Sequence, residues 1–375
     1  MTSPSHPLRA LEFYAGIGGL QLAALRSTAA VEVVAAYDWD QSAVRVYAHN
    51  YGHTHPIHRA DISRMTASDL AGHNASVWLL SPPCHADPRA SSFHHLFFAI
   101  LPELLPDYIF LENVAGFQGS LTQLQALDLL REHEYTVQEY LLSPLQFGIP
   151  NSRRRYYLLA RRRSQFSSRI PEEFGEWLDP RNATSPEGVE ASSARVVAPL
   201  SDFLDENDDP EVAACAVPDK VLHKWAHEFD IVLPSSTRTC CFTRGYTHLA
   251  QGSGSVLQQN SSLDTSSTFR EFRAAVPSRG PGAVDILHPL NLRYLTPNEL
   301  LRLMYFLPQR RTKQISEHKV NIEQQSPHLS TLFNWPSDIS RKTRYKLLGN
   351  SINVHVVTQL LNYLFSEPFG EEAVR

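Results

Sequence analysis

Short apolar segments alternate with helix-like segments from Leu8 to Arg163, and this alternation restricts the possible folds more than any other feature of the sequence. Apolar runs such as VEVVAAYD (31–38) and DYIFLENV (107–114) are typical of buried strands. Helical patterns such as QSAVRVYAHNY (41–51) lie between them. Strands that alternate with helices form a mostly parallel sheet covered by helices on both faces. The sequence therefore predicts an α/β domain over residues 8–165.

The pattern changes twice after this domain. Residues 166–290 begin with a segment rich in Ser, Pro and acidic residues, and we predict a linker followed by a second, smaller domain. Residues 291–375 return to the α/β pattern and are predicted to rejoin the first domain. Within them we expect Thr296 to cap a helix whose first residue is Pro297. The polar, aperiodic stretch 308–331 is predicted to be an insertion.

Composition limits the class of protein. Hydrophobic residues make up 42% of the 375 residues, which is enough for a sizeable core. The net charge of -5 is not that of a basic nucleic-acid coat, so nucleic-acid contacts must come from local clusters. Four cysteines without a CxxC pair argue against a disulfide scaffold and favour a reducing compartment. We expect neither a membrane span nor a signal peptide.

A glycine-rich turn in LEFYAGIGGLQLAALR joins the first predicted strand to the first predicted helix. Gly16, Gly18 and Gly19 allow a tight turn, and their missing side chains let a ligand approach the backbone. The helix N-terminus that follows offers free N–H groups. The pattern is typical of a dinucleotide-type site, although an ordinary strand-to-helix turn has the same composition.

Acidic residues after the next strands support a nucleotide-type ligand. Asp38 lies twenty residues after Gly18, where it can accept both ribose hydroxyls or cap the helix that begins near Gln41. Trp39 can stack on an adenine ring. Asp61 can accept from an adenine amino group or be an ordinary turn residue. These residues favour an adenosyl ligand without choosing between NAD and S-adenosylmethionine.

A cysteine follows two prolines in the segment WLLSPPC. Pro82 and Pro83 fix their own φ angles and restrict Ser81, so the direction of the Cys84 thiol is set before substrate arrives. A buried structural cysteine is the alternative. The next strand ends in LENV, which brings Glu112 to a neighbouring strand end, where a lone acid is otherwise solvated or capping.

A cysteine and a glutamate beside an adenosyl site suit one reaction. Carbon 5 of cytosine is a poor nucleophile, but a thiolate that adds to carbon 6 makes carbon 5 enamine-like. A protonated carboxyl group at N3 stabilises the charge that forms. The thiol, with a free pKa of about 8.5, must be activated, and burial must raise the pKa of the glutamate.

The motifs FYAGIGGL, YDWD, SPPC, LENV, PNSRRRYY and LLGNSINVHV follow in this order across nearly the whole chain and resemble those of the cytosine-5 methyltransferase family. The CFT triplet at 241–243 resembles the marker triplet of the family branch that methylates tRNA. That branch tends to have another residue in place of the family's Gln and to keep the two arginines that follow. This sequence does the same, with Asn151 in place of the Gln and with Arg153 and Arg155 kept. The resemblance implies a Rossmann-like S-adenosylmethionine-dependent methyltransferase domain with a mixed, mostly parallel sheet and a small target-recognition domain.

The resemblance also implies roles for individual residues. Cys84 would be the nucleophile, Glu112 would hold N3, and Arg153 and Arg155 would contact the cytosine O2 or the nearby backbone. The residues implied to form the S-adenosylmethionine site are Phe13, Ala15, Gly16, Ile17, Gly18, Asp38, Trp39, Asp61, Ile62, Asn350 and Ser351. Those implied to contact the substrate are Cys241, Phe242, Thr243 and Arg154. No metal is expected, because the cysteines and histidines lack ligand spacing.

The implied product is 5-methylcytosine at position 38 in the anticodon loop of tRNA-Asp. Basic clusters at 153–163 and 340–346 can contact phosphates, although a solvated strand rim and helix face have the same composition. A base in a loop is already partly unstacked, which lowers the energy needed to extrude it. We expect a monomer in the cytoplasm and nucleus.

The sequence departs from the family pattern directly after the predicted nucleophile. His85 replaces the family's Gln, and ADPRASSF follows at once, so most of a longer loop is absent. That loop would exclude water and position Cys84. Three hypotheses therefore remain open: a tRNA methyltransferase of normal or low activity, a catalytically silent protein that binds RNA and cofactor, and a DNA cytosine-5 methyltransferase.

Overall fold

The computed structural model describes residues 6–83, 90–166, 171, 174, 196–310 and 333–366. Cys84 and the five residues after it therefore lie outside the described residues, as does most of the predicted insertion at 308–331.

A seven-stranded sheet forms the centre of the larger unit, with strand order β3-β2-β1-β4-β5-β7-β6. Its strands are β1 (Leu8–Phe13), β2 (Val31–Asp38), β3 (Ile57–Arg59), β4 (Val77–Leu80), β5 (Tyr108–Val114), β6 (Tyr135–Leu142) and β7 (Arg155–Arg162). The pairs from β3 to β5 are parallel, whereas β7 runs antiparallel to both of its neighbours. The predicted α/β fold with a mixed, mostly parallel sheet is confirmed.

Twelve α-helices surround this sheet and the smaller unit in the described part of the chain. They are α1 (Gly19–Leu25), α2 (Gln41–Tyr51), α3 (Ala67–Ala71), α4 (Ala90–His94), α5 (Leu101–Leu104), α6 (Leu121–Glu132), α7 (Pro210–Ala213), α8 (Asp219–Trp225), α9 (Thr265–Arg279), α10 (Pro297–Leu303), α11 (Arg341–Gly349) and α12 (Val354–Phe365). A π-helical segment, His95–Ile100, joins α4 to α5. Pro102 has no N–H to continue the regular ladder, and the N–H of Leu101 bonds five residues back to Leu96.

Each face of the sheet is covered by its own hydrophobic core. On β1, Ala10 points into one core while Leu11 and Phe13 point into the other. The first core also contains buried apolar residues of α1 and α12. The C-terminal helix α12 therefore packs against α1 in the larger unit. The second core contains the helices between β4 and β6. Both faces of the central strands are therefore apolar, which is typical of parallel sheets.

A three-stranded sheet forms the smaller unit, with order β10-β9-β8. Its strands are β8 (Asp230–Val232), β9 (Ser255–Gln258) and β10 (Leu292–Tyr294), and a third hydrophobic core lies around Phe269 and Phe272 of α9. β10 begins at Leu292, so the small sheet continues just beyond residue 290, where the sequence places the boundary.

A buried ion pair joins the smaller unit to the larger one. Arg293 of β10 donates to both carboxylate oxygens of Glu299 in α10, at 2.8 and 2.7 Å. Glu299 also accepts from the backbone N–H groups of Thr296 and Asp205. Thr296 caps α10 as predicted, with Pro297 in the first turn. No helix in the described part of the chain is long and apolar enough to cross a membrane.

Candidate active site

One cleft of about 650 Å³ lies at the carboxyl ends of β1, β2, β4 and β5. Ligands in open α/β sheets bind at this edge, because the loops that follow the strands meet there. The cleft contains the glycine turn at one end and Glu112 at the other. Several of the predicted residues, among them Gly16, Asp38 and Glu112, therefore line a common space.

The glycine turn is shaped by close packing beneath it. Gly18 has φ +87°, and a Cβ there would come within 2.3 Å of the Tyr51 ring. Only glycine fits this position without a shift of the helix behind it. A Cβ at Gly16 would meet nothing within 4 Å, so open space lies beside the backbone there. This space is what a bound adenosyl group needs.

The Asp38 carboxylate ties the turn to the end of β2. Its Oδ2 accepts from the Gly16 N–H at 2.8 Å, and its Oδ1 accepts from the Asp40 N–H at 2.7 Å. Asp40, not Asp38, caps α2, so the alternative role of Asp38 as helix cap is wrong. The carboxylate still lines the cleft.

Further predicted cofactor residues lie farther along the cleft. Trp39 is 52% exposed and lies under the Arg59 guanidinium at 5.7 Å. Asp61 caps the short turn Ile62–Arg64 through the Ser63 N–H, as the turn-residue alternative expects, and still lines the cleft. Asn350 lines the opposite wall.

Five of the residues predicted for the cofactor site are not among those that line the cleft; they are Phe13, Ala15, Ile17, Gly18 and Ser351. All five residues are buried. Sequence reasoning missed other residues of this cleft, among them Tyr14, Asp40, Ala43, Ala60, Ser81 and Ser92. Tyr14, Asp40 and Ser81 lie inside the quoted motifs FYAGIGGL, YDWD and SPPC, so membership of a motif was the available signal.

Glu112 lies at the reaction end of the cleft and is buried. Its Oε1 is 3.4 Å from the Arg155 Nε across the β5–β7 pairing. Burial raises the pKa of Glu112, while the positive charges of Arg155 and Arg153 act to lower it. Burial prevails, so the carboxyl group binds a proton at higher pH than a free glutamate does. Ser81, Pro82 and Pro83 line the same end just before Cys84.

Arg153 is buried and holds distant segments together. It donates to the carbonyl oxygens of Phe242 at 3.0 Å and Gly349 at 3.4 Å, and also to the carbonyl of Ser351. A Cβ at Gly349 would lie 2.1 Å from the backbone nitrogen of Arg244, so glycine allows these two segments to touch. Arg153 therefore fixes one wall of the cleft as well as lining it.

The residues predicted to contact substrate separate into different environments. Thr243 lines the cleft, and the Cys241 thiol lies within 3.5 and 3.7 Å of Arg153 and Arg155. Burial acts to raise the pKa of Cys241, but the two arginines outweigh it and the pKa is lowered. Phe242 is buried against Tyr246 and is not a lining residue of the cleft, so its side chain packs in the core, and its contact with substrate stays a prediction. Arg154 is exposed and is not a lining residue of the cleft.

Metal ligands do not gather anywhere in the described ranges: no group of three or more His, Cys, Asp or Glu residues could hold a metal ion. The cleft instead joins an adenosyl-sized end to a buried glutamate flanked by arginines. On a Rossmann-like sheet this arrangement defines the class of S-adenosylmethionine-dependent methyltransferases.

The comparisons with known proteins identify the family. The model of C-5 cytosine-specific DNA methylases matches residues 8–366, and the chain belongs to this family. The family implies S-adenosylmethionine as the methyl donor.

Several relatives are similar to nearly the whole chain. The tRNA (cytosine(38)-C(5))-methyltransferase of Schizosaccharomyces pombe is 35% identical over 376 residues, which cover 97% of this chain and 98% of that protein. The Mus musculus protein of the same name is 33% identical and covers 97% of this chain and 94% of its own. The crystal structure of the S. pombe Dnmt2 methyltransferase matches with a TM-score of 0.74 at 34% identity, over 96% of this chain and 98% of that one.

Proposed function

We propose that this protein transfers a methyl group from S-adenosylmethionine to carbon 5 of cytosine 38 in tRNA, with tRNA-Asp as substrate. The observation that carries the proposal is a single cleft that contains both the glycine turn with Asp38 and the buried Glu112. The names of the full-length relatives support tRNA as the substrate class.

The chemistry assigns Cys84 and Glu112 to opposite parts of the pyrimidine. The Cys84 thiolate adds to carbon 6 and forms a carbon–sulfur bond, while the protonated Glu112 carboxyl group donates to N3. Carbon 5 then accepts the methyl group, after which the carbon 5 proton leaves and the sulfur is expelled. The raised pKa of Glu112 supports the donor role, because the carboxyl group must keep its proton near neutral pH.

For the methyl donor, the proposed contacts follow from the shape of the cleft. Asp38 binds the ribose hydroxyls, and Trp39 stacks on the adenine. Asp61 and Ile62 lie beside the ring, and Asn350 closes the site from the C-terminal segment. The open space beside Gly16 leaves room for the methyl donor.

Two further candidates have specific observations behind them. A relative from Dictyostelium discoideum named DNA (cytosine-5)-methyltransferase is 29% identical over 96% of this chain, which keeps DNA as a possible substrate. The short segment between Pro83 and Ala90 keeps the silent RNA-binding protein as a hypothesis. We favour tRNA because the relatives with higher identity carry that name. A monomer in the cytoplasm and nucleus remains part of the proposal.

The test is methyl transfer by the purified full chain from labelled S-adenosylmethionine to tRNA-Asp, to the same tRNA with uridine at position 38, and to duplex DNA. We expect label only in the cytosine-38 tRNA. Cys84→Ala should abolish transfer while cofactor binding persists. Glu112→Gln should lower the rate by about 10²–10⁴, the usual contribution of general acid catalysis. Glu132→Gln, at an exposed position of α6, is the matched control and should act like wild type.

Three results would change the proposal. Transfer to duplex DNA that exceeds transfer to tRNA would favour the DNA methyltransferase. tRNA binding without transfer would favour the silent protein. Transfer that survives Cys84→Ala would reject the covalent mechanism.

A further inference from the structure

A second cavity of about 610 Å³ lies beside the cleft, and we call it the side pocket. It shares Pro83, Ser91 and Asn113 with the cleft, so the two spaces have a common wall. No residue proposed above for the methyl donor or for the target cytosine lines it. A nucleotide next to the target can therefore reach it without leaving the site.

Aromatic rings make up much of the side pocket. The exposed His94 ring lies 4.5 Å from the Phe98 ring at 34°, on the same face of the α4–π helix. Phe93 and Phe117 form a second contact behind them, with centroids 6.2 Å apart. Among the described lining residues there is no carboxylate to repel a polyanion. Such rings offer flat faces on which nucleobases stack, whatever the base.

Asn113 supplies a directional polar group. Only 3% of this residue is exposed, and its Oδ1 accepts from the Val114 N–H at 2.8 Å. That bond fixes which side of the amide is the oxygen, because a backbone N–H can only donate. The amide nitrogen makes no hydrogen bond to any residue within the described ranges. Asn113 lines the wall that the side pocket and the cleft share, so its amide nitrogen can donate to an acceptor on a ligand there.

We propose that the side pocket binds the nucleobase adjacent to the target cytosine, stacked on His94 and Phe98, with Asn113 donating to a ring nitrogen or carbonyl oxygen of that base. The inference rests on the proposed RNA substrate and deepens it. A protein partner would fit the rings but gives no reason for the unpartnered amide beside the cytosine cleft. The bound neighbour holds the RNA strand open while the target base occupies the cleft.

The experiment measures affinity, so it does not depend on turnover. Full-length tRNA-Asp is prepared intact and with an abasic residue directly before or directly after the target. Removing the bound neighbour should weaken binding to wild type by roughly 5- to 150-fold, which corresponds to about 1–3 kcal/mol for a stacked base. His94→Ala should weaken binding of intact tRNA within this range. His49→Ala, an equally exposed position on α2, is the control and should leave affinity unchanged.

The decisive measurement is whether the losses of affinity caused by His94→Ala and by the abasic residue are additive. In His94→Ala, the abasic residue should cost little further affinity, because the contact is already lost. A 2-aminopurine at the same nucleotide should be quenched on binding to wild type and less quenched by His94→Ala. Equal affinity for intact and both abasic tRNAs, or strictly additive losses, would overturn the inference while leaving methylation intact. Failure of wild type to bind or methylate any tRNA would reject the proposed function itself.

Discussion

Glu12 gives the sharpest stability prediction, because a carboxyl group in the middle of β1 is entirely buried. Its Oε2 accepts from the Tyr47 hydroxyl at 2.9 Å and its Oε1 from the Gln21 N–H at 3.3 Å. Burial raises the pKa of Glu12 from 4.5 to about 8, against the lowering effect of these two hydrogen bonds. The nearby Asp38 charge raises the pKa further. The group is therefore neutral in the folded protein at pH 7 and ionised in the unfolded chain.

The sign of the pH dependence follows from this difference. Below pH 4.5 both states hold the proton, and the contribution of Glu12 to stability is complete. Between pH 4.5 and about 8, unfolding releases the proton, so stability falls as pH rises. Each pH unit changes the free energy by about 1.36 kcal/mol. Over this window of about 3.5 units, Glu12 loses on the order of 5 kcal/mol of stabilisation, as an upper bound.

Glu12→Gln keeps the shape of the side chain and removes the ionisation. Urea denaturation of wild type and variant at pH 5, 6, 7 and 8 measures the effect, because titrating groups that do not interact with Glu12 cancel in the difference. The variant should gain stability relative to wild type as pH rises, by several kcal/mol between pH 5 and pH 8. The same measurement on the exposed Glu132→Gln should give a flat difference. A pH-independent difference for Glu12→Gln would refute the assignment of a neutral, buried carboxyl group.

The remaining predictions concern the contact between Gly349 and Arg244 and the ion pair between Arg293 and Glu299. Gly349→Ala should destabilise the protein by about 1–3 kcal/mol or more and reduce methylation, because its Cβ would meet the Arg244 backbone nitrogen. Thermal unfolding measures the loss of stability. Gly72→Ala is the control and should show no comparable loss, because a Cβ there meets nothing within 4 Å. Glu299→Gln should cost about 3–5 kcal/mol in chemical denaturation, since the buried Arg293 loses its ion pair. Adding Arg293→Met to that variant should recover part of the loss, and a double variant weaker than the single one would contradict this account.

Strands could be read from the sequence where burial on both faces makes them uniformly apolar. All four residues of β4 are buried, and VWLL reads as a strand without any other information. The ends of helices were harder to predict. The pattern LQLAALRSTAA (20–30) by itself predicts a helix that continues to Ala30, but α1 ends at Leu25. There Arg26 turns to donate to the Tyr305 and Phe306 carbonyl groups, nearly 280 residues away. Local patterns carry no record of such contacts.

The candidate site divides in the same way. Asp38 and Glu112 follow apolar strands, and strand ends in a parallel sheet meet at one edge, so their presence in one cleft was predictable. The resemblance implied Arg153 only as a substrate contact, but the structure shows that it also joins residues 242, 349 and 351. The resemblance implied Phe242 as a substrate contact, and the structure shows that its side chain is buried in the core. The contacts of Arg153 join segments about 90 to 200 residues apart in the chain, so local sequence patterns do not predict them.

A raised pKa for a carboxyl group beside two arginines requires an electrostatic explanation, because a positive charge favours the ionised form. The structure supplies it through burial. Most of the polar contacts of Arg153 are to backbone carbonyl groups, and the low-pKa Cys241 thiol lies against both Arg153 and Arg155. Burial has the largest effect on Glu112; it outweighs the lowering by both arginines and decides the direction of the pKa shift. The cysteine of the CFT motif contacts the same two arginines, so the motif and the glutamate share these positive charges.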